Sequence, residues 1–289
     1  MLAVDIGATK LAAAVVTGDG SLTWRGEVPT PRTAEPEVVW SALAGLVGRA
    51  PSGPGLCGVG SAAPMDSGSG TVSPLNIPAW RGFPLRSRLA ALSRLPTWVE
   101  GDAKALALGE GVFGAALGRR DYLSMVVSSG VGGGIVLDGR LLAGKAGNAG
   151  HIGHVIVVPE GRECACGARG CLEAEASGLS IAAVTGRPAA QARPETVERV
   201  GTLVGRAVAS VANLLDLTLA TVAGSVALGF GEPFFCSAQA ELDRSARLAF
   251  SSGARIVPSG LGADGPLVGA ATVAWWGAGL LDLTDAARS

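Results

Sequence analysis

The sequence predicts an α/β fold made of two related halves. Three observations carry that expectation. Short apolar, strand-like runs alternate with longer segments of helical periodicity, the pattern of α/β proteins. A strand, a glycine turn and a second strand occur near residue 7, and the same pattern returns near residue 132. The 289 residues are 48% apolar and only 16% charged, which supplies ample core for one large domain or two lobes.

Taken in order, "LAVDIG" (2–7) reads as a strand, "ATK" as a tight turn and "LAAAVVT" (11–17) as a second strand. "GDG" at 18–20 is a hairpin signal leading into a third strand, "SLTWRGEV". A helix is expected over 37–49, and "GLCGVGSAAP" (55–64) is a short buried strand running into a loop. Residues 71–81 form a Pro-rich loop holding Asn76 and Trp80. "PTWVE" (96–100) is a strand, and "DAKALALGEGVFGAAL" (102–117) an Ala- and Leu-rich helix with Asp102 as its N-cap. "YLSMVVSS", the glycine turn "GVGGG" (130–134) and "IVLDGRLL" repeat the opening pattern.

Val197, Val200, Val204, Val208, Val211 and Leu215 fall at helical spacing, so 196–215 is a core-facing helix. "LATVAGSVALGF" (219–230) reads as a buried strand ending in a glycine turn, and the tail from 266 as another helix. The expected lobes are 1–115 and 116–289, joined near 110–121, with the last helix packing back on the first lobe. Mean hydropathy of +0.40 raises a membrane reading. Its best candidate, 266–281, is too short for a span of ~20 residues and is interrupted by glycines, so a buried helix is expected instead. The start carries no basic, apolar leader pattern, which predicts a cytoplasmic protein. A net charge of −1 with no basic run argues against nucleic acid.

Both histidines and three of the five cysteines lie within residues 148–173. Cys164, Cys166 and Cys171 form C-x-C-x4-C, and His154 precedes the first by ten residues. Three thiolates and one imidazole make the four-coordinate set zinc takes at structural sites, and Gly167 and Gly170 allow the tight turns needed. Four protein ligands leave no open position, so the zinc is structural. His151 is an alternative ligand or a pocket residue. With the Cys3His set complete, the pocket is its expected place. Cys57 and Cys236 sit in apolar surroundings and are expected in the core.

The "GVGGG" turn invites a dinucleotide reading, but that fingerprint needs a glycine turn that opens a helix, and no P-loop is present. Two hairpins can instead offer backbone N–H groups to phosphates, at Gly7 in the first and at Gly130, Gly132 and Gly133 in the second. Thr9, Lys10 and Ser129 add side-chain donors. Asp5 would hold Mg²⁺ through water. Either turn alone is a common structural device; their pairing points to phosphate. Asp102 can cap its helix or accept a proton from a substrate hydroxyl; its position alone favours the cap.

These segments together resemble the ROK family of bacterial sugar kinases and related repressors, over nearly the whole chain. "DIGATKLAAAVV" (5–16) is similar to the family's first phosphate hairpin and "SSGVGGGIVLDGRL" (128–141) to its second. "VEGDAKALALGE" (99–110) resembles the segment with the catalytic aspartate, and "GHIGHV" (150–155) the E-x-G-H sugar motif. "CACGARGCLE" (164–173) matches C-x-C-G-x-x-G-C-x-E, the most specific of these matches. "VAGSVALG" (222–229) resembles the adenosine-contacting region, placing Gly224 there.

The resemblance implies a two-lobed actin-like, hexokinase-like ATPase (ribonuclease H-like) fold with a zinc-binding loop. It implies transfer of the ATP γ-phosphoryl to a sugar hydroxyl, usually at C6, with Mg²⁺. Asp102 would be the general base. His154 would bind zinc through one ring nitrogen and reach the sugar with the other. Glu173 would accept hydrogen bonds from the sugar, and Asn76, Gly101 and His151 complete the expected sugar set. A homodimer is the family's common state.

The chain departs from the family pattern in places. Gly101 stands where Asn usually precedes the catalytic aspartate, and His151 where Glu opens E-x-G-H. Ser128 and Ser129 replace the usual Gly and Thr of the second hairpin. Each lost sugar hydrogen bond costs ~0.5–1.5 kcal/mol net. An altered preference near the C1/C2 end of the sugar follows, with an N-acetylated hexosamine as one candidate. The alternative function is a catalytically weak or inactive sugar sensor. A repressor would carry a helix-turn-helix before the first hairpin, and here that hairpin begins at residue 2. A zinc hydrolase fits poorly, because no further histidine remains to act as base.

Overall fold

The computed structural model describes residues 1–281 and Leu283. Residues 282 and 284–289, the end of the span expected to form the second lobe, lie outside the described residues.

The first half opens with an antiparallel meander of β1 (Leu2–Ile6), β2 (Lys10–Val16) and β3 (Leu22–Pro29). α1 (Pro36–Val47) follows, started by a proline in its first turn. β4 (Cys57–Ser61) pairs parallel to β1. A two-stranded ribbon, β5 (Met65–Asp66) and β6 (Thr71–Val72), then leads to α2 (Leu85–Ser93), β7 (Thr97–Gly101) and α3 (Asp102–Phe113). The sheet order is β3-β2-β1-β4-β7.

The second half repeats the scheme. β8 (Tyr122–Val127), β9 (Val131–Leu137) and β10 (Arg140–Leu141) form its meander. α4 (Leu172–Ala176), α5 (Gly178–Thr185) and α6 (Pro194–Leu215) precede β11 (Leu219–Ala223). α7 (Ser225–Phe230), α8 (Glu232–Ser245), β12 (Arg255–Pro258) and α9 (Gly265–Gly277) complete the fold. The order β10-β9-β8-β11-β12 matches the first sheet position for position, with β8, β11 and β12 parallel.

Core placement follows the sequence periodicity. The valine stripe of α6 is buried in a cluster with β8, β11 and Phe234 and Ala238 of α8. α9 covers the other half: Leu267, Ala270 and Ala271 pack on Ala3, Ala12 and Ala14 of β1 and β2. α3 packs against both sheets and crosses α9 closely, since a Cβ on Gly109 would lie 3.1 Å from the Gly269 Cα. The two crossings between halves, 114–121 and 259–264, meet at the buried Glu110. Its carboxylate accepts from Ala115 N at 2.8 Å, from Gly260 N at 3.3 Å and from the Ser259 hydroxyl. No helix among the described residues is long and apolar enough to cross a membrane.

Several expectations need correction. The predicted glycine turn over 130–134 is only the segment 128–130; Gly132, Gly133 and Gly134 lie inside β9. They are small because neighbours press on both faces. A Cβ on Gly134 would sit 2.7 Å from that of Ala107, and one on Gly133 would sit 2.8 Å from Ile152. The strand expected over 219–230 stops at Ala223, and α7 takes the rest. The helix expected to reach 117 ends at Phe113, where Gly114 turns extended. Cys57 is buried as expected, but Cys236 is exposed on α8. α2, α4, α5 and α8 have no counterpart in the sequence reading.

Candidate active site

Asp102 stands at the carboxyl end of β7 and starts α3. Gly101, with extended backbone, takes the N-cap place, so Asp102 is the first helical residue rather than the cap. Its Oδ1 still accepts from Ala103 N at 2.7 Å. A cleft opens beside it, lined by Gly101, Asp102, Lys104, Gly132, Gly133 and His151 together with Met65 and Asn148. The predicted base and the predicted pocket histidine therefore share one cavity. Burial pushes the Asp102 carboxyl up to about 6, against the Ala103 N–H bond, with the nearby Glu173 charge adding to the rise. Burial and then Asp102 push Asp5 up to about 7, against Lys10 and Arg25. The two aspartates are neighbours across Gly60: a Cβ there would lie 3.8 Å from Asp5 Oδ1 and 3.5 Å from the Asp102 Cα.

In the first hairpin, Gly7 N donates to Lys10 O at 3.0 Å, which closes the turn. Thr30, just past the end of β3, holds it, its hydroxyl donating to Gly7 O at 2.7 Å. Thr9 is exposed, and the Lys10 ammonium lies 3.3 Å from Glu27, an exposed pair. In the second hairpin, Ser128 N donates to Gly130 O, and Ser129 O accepts from Leu179 N at the start of α5. The Ser128 hydroxyl meets that of Ser225 at 3.0 Å, and Gly224, at φ +100°, packs where a Cβ would strike Val127 O. The hairpin and the starts of α5 and α7 thus converge at Ser128.

The sugar-motif residues form an adjoining group. Glu173 Oε2 accepts from Val131 N at 2.9 Å. A Cβ on Gly130 would sit 2.8 Å from that oxygen and 3.9 Å from Asn76 Nδ2, so the 71–81 loop of the first half reaches the second hairpin. The His151 and His154 rings lie 5.9 Å apart, centroid to centroid, and burial, followed by His154, lowers the His151 pKa.

The ligand atoms of His154, Cys164, Cys166 and Cys171 all lie within 4.8 Å of one another. Cys166 Sγ is 3.7 Å from Cys171 Sγ, and Cys164 Sγ is 3.7 Å from His154 Nδ1. A Zn–S bond of about 2.3 Å sets tetrahedral ligand edges of about 3.8 Å, so the set fits such an ion. The spacing is far too long for a disulfide. Gly167 and Gly170 have φ of +90° and +75°, and a Cβ on Gly170 would strike Val158 O. Local hydrogen bonds and the start of α4 at Leu172 gather the thiols at one point, with Cys164 and Cys171 buried and Cys166 exposed.

Two side chains of the cleft, Lys104 and Asn148, and one beside the second hairpin, Ser225, were not singled out in the sequence. Lys104 is buried, donates to Gly147 O at 2.8 Å and pairs with Glu100 at 3.1 Å. Asn148 exchanges two hydrogen bonds with the Met65 backbone, at 2.9 and 3.1 Å, and bridges the halves. Ser225 joins the second hairpin. The i, i+4 spacing of Glu100 and Lys104 was visible; its burial was not.

Two sheets of one topology with a carboxylate-lined cleft between them define a hexokinase-like α/β protein. The ROK family model matches residues 1–276. An N-acetylmannosamine kinase of Shigella flexneri is 38% identical over 248 residues, covering 80% of this chain and 84% of that one. The ROK hexokinase of Thermus thermophilus superposes with a TM-score of 0.81 at 32% identity, covering 96% and 99% of the two chains. A ROK glucokinase of Streptomyces griseus, solved with glucose and AMPPNP, gives 0.83 at 30%, with the same coverage. The chain belongs to the ROK family.

Proposed function

We propose that this protein is an ATP-dependent carbohydrate kinase for an N-acetylated hexosamine, with N-acetylmannosamine the first candidate, phosphorylating the C6 hydroxyl. The observation that carries the reading is Asp102 lining one cleft with His151, with its carboxyl raised towards neutrality. A base so tuned takes a hydroxyl proton while remaining ionised at neutral pH. As the proton passes to Asp102, the sugar oxygen bonds the γ-phosphorus. The bond from that phosphorus to the bridging oxygen breaks, and its electron pair leaves with ADP. Positioning and charge neutralisation supply most of the catalysis.

The lobes 1–115 and 116–289 provide the two walls. Gly7, whose own N–H is taken by Lys10 O, shapes one phosphate clasp in which Thr9 donates, and Ser129, Gly130 and the backbone of Gly132 and Gly133 form the other, with Gly224 towards adenosine. Lys10 joins the clasp by leaving its exposed partner Glu27. Mg²⁺, held through water at Asp5, would neutralise phosphate charge and relieve the repulsion between Asp5 and Asp102. Glu173 spends one oxygen on Val131 and keeps the other for the sugar, with Asn76 opposite. His154 gives Nδ1 to a structural zinc with the three cysteines and keeps Nε2 for a sugar hydroxyl. His151, neutral, replaces a carboxylate, and Gly101 leaves open the space of an asparagine. The shift away from plain hexoses is supported by these two residues and by the identity with N-acetylmannosamine kinases. The working form is a cytoplasmic homodimer.

ADP release across a panel of glucose, mannose and their 2-acetamido analogues tests this, with Asp102→Asn as control. The expected result is highest kcat/KM for N-acetylmannosamine, lowered about 10²–10⁴-fold in the variant. Glucose preferred over every 2-substituted hexose overturns the substrate. Sugar binding with no ADP release on any sugar overturns the enzyme and leaves a sensor.

A further inference from the structure

Glu175 is a buried carboxylate that takes no part in the proposed chemistry. It sits one helical turn after Cys171, and its own N–H donates to Cys171 O at 3.1 Å. Its side chain is 2% exposed. Oε1 accepts from Arg162 N at 2.7 Å, and Oε2 pairs with the Arg162 guanidinium at 3.1 Å. Arg199, on α6, reaches the same Oε2 at 2.6 Å. Arg162 lies two residues before Cys164, and its carbonyl accepts from Gly170 N at 2.8 Å. One carboxylate thus joins both ends of the cysteine loop and moors them to the longest helix.

We propose that Glu175 is a positioning residue that sets how tightly His154, Cys164, Cys166 and Cys171 hold their metal, by closing the loop before the ion arrives. A loop that must order on binding gives up affinity to conformational entropy, and one already closed does not. The two arginines supply the charge balance of the buried carboxylate. They are 37% and 42% exposed, so without Glu175 they turn to solvent and leave no buried cation unpaired. The proposal rests on the zinc reading above.

The test is zinc affinity by competition with a chromophoric chelator and zinc release rate in a chelator chase, on the full chain. Glu175→Ala removes both anchors, Glu175→Gln keeps an acceptor for Arg162 N, and Arg199→Ala loosens only the mooring to α6. The expected order of zinc affinity is wild type, Arg199→Ala, Glu175→Gln, Glu175→Ala. The last is about 10–100-fold weaker than wild type, the range seen when groups supporting metal ligands are lost. A purely structural role would lower the melting temperature of the chelated protein and leave affinity and release rate of the folded variant within about twofold of wild type. That result overturns the proposal. If Glu175→Ala does not fold, the Gln and Arg199 variants carry the same comparison. A wild-type protein that holds no zinc overturns the zinc reading itself, before any variant is compared.

Discussion

Asp102 is ordinary as a helix-start residue and unusual in its charge state. With its carboxyl near 6, kcat/KM is expected to fall about tenfold per pH unit below about pH 6 and to level off above it. A pH–rate profile in which acid loss begins near 4 would contradict this. Asp102→Asn should lower kcat by about 10²–10⁴, the usual contribution of a general base. The same residue affects stability in the opposite sense. Raised values at Asp5 and Asp102 mean that the folded state binds protons more tightly than the unfolded chain. Their contribution to stability is full below about pH 4. It is lost as the pH rises through about 6 and about 7. Melting temperatures across pH 4–8 should show a smaller decline in Asp102→Asn than in wild type. At the rim, His151→Glu restores the family's carboxylate and should raise the ratio of glucose to N-acetylmannosamine kcat/KM. An unchanged ratio in a steady-state assay would detach His151 from specificity. The cysteine spacing and the Asp102 segment were legible at this scale because they are local in sequence. Lys104, Asn148 and Glu175 were not, because lysine, asparagine and glutamate ordinarily face solvent. Their partners lie elsewhere in the chain, Gly147 for Lys104, Met65 for Asn148, and Arg162 and Arg199 for Glu175.

Among the elements, the meanders and α6 were legible because alternation and the valine stripe record which face is buried. The glycines of β9 misled for a physical reason. Glycine marks a turn when the backbone needs positive φ, but in β9 it makes room for α3 and for the loop at Ile152. Gly134→Ala is expected to push α3 off the sheet, costing about 1–3 kcal/mol in urea unfolding, as overpacking does. It should also lower kcat, since Asp102 starts that helix. The boundary at Ala223 was hidden for another reason. An apolar run of that length reads equally as buried strand or buried helix, and only Gly224 at +100° marks the break. α4 is five residues long and follows Cys171 directly, so its stability depends on the loop before it. Stripping metal with a strong chelator should lower the melting temperature, with the 162–176 backbone opening to hydrogen exchange in Glu175→Ala and staying largely protected in wild type, where Glu175 still ties Arg162 and Arg199.

Across the whole molecule, the repeated glycine-turn pattern correctly signalled two matching sheets. What it did not reveal is how the helices are shared. Glu110 gathers both crossings between the halves, and its loss leaves the N–H groups of Ala115 and Gly260 and the Ser259 hydroxyl without their acceptor. Glu110→Ala should cost about 1–3 kcal/mol in chemical denaturation, and a neutral result would mean that water replaces it. α3 leaves the first sheet to cover the second, while α9 leaves the second to cover β1 and β4. Each lobe therefore finishes its interior with a segment encoded on the far side of the connecting stretch. Cleaved near Leu117, neither fragment would own a complete core. Made separately the pieces should collapse into aggregates, and made together they should reassemble, as two hands that each lend the other a finger.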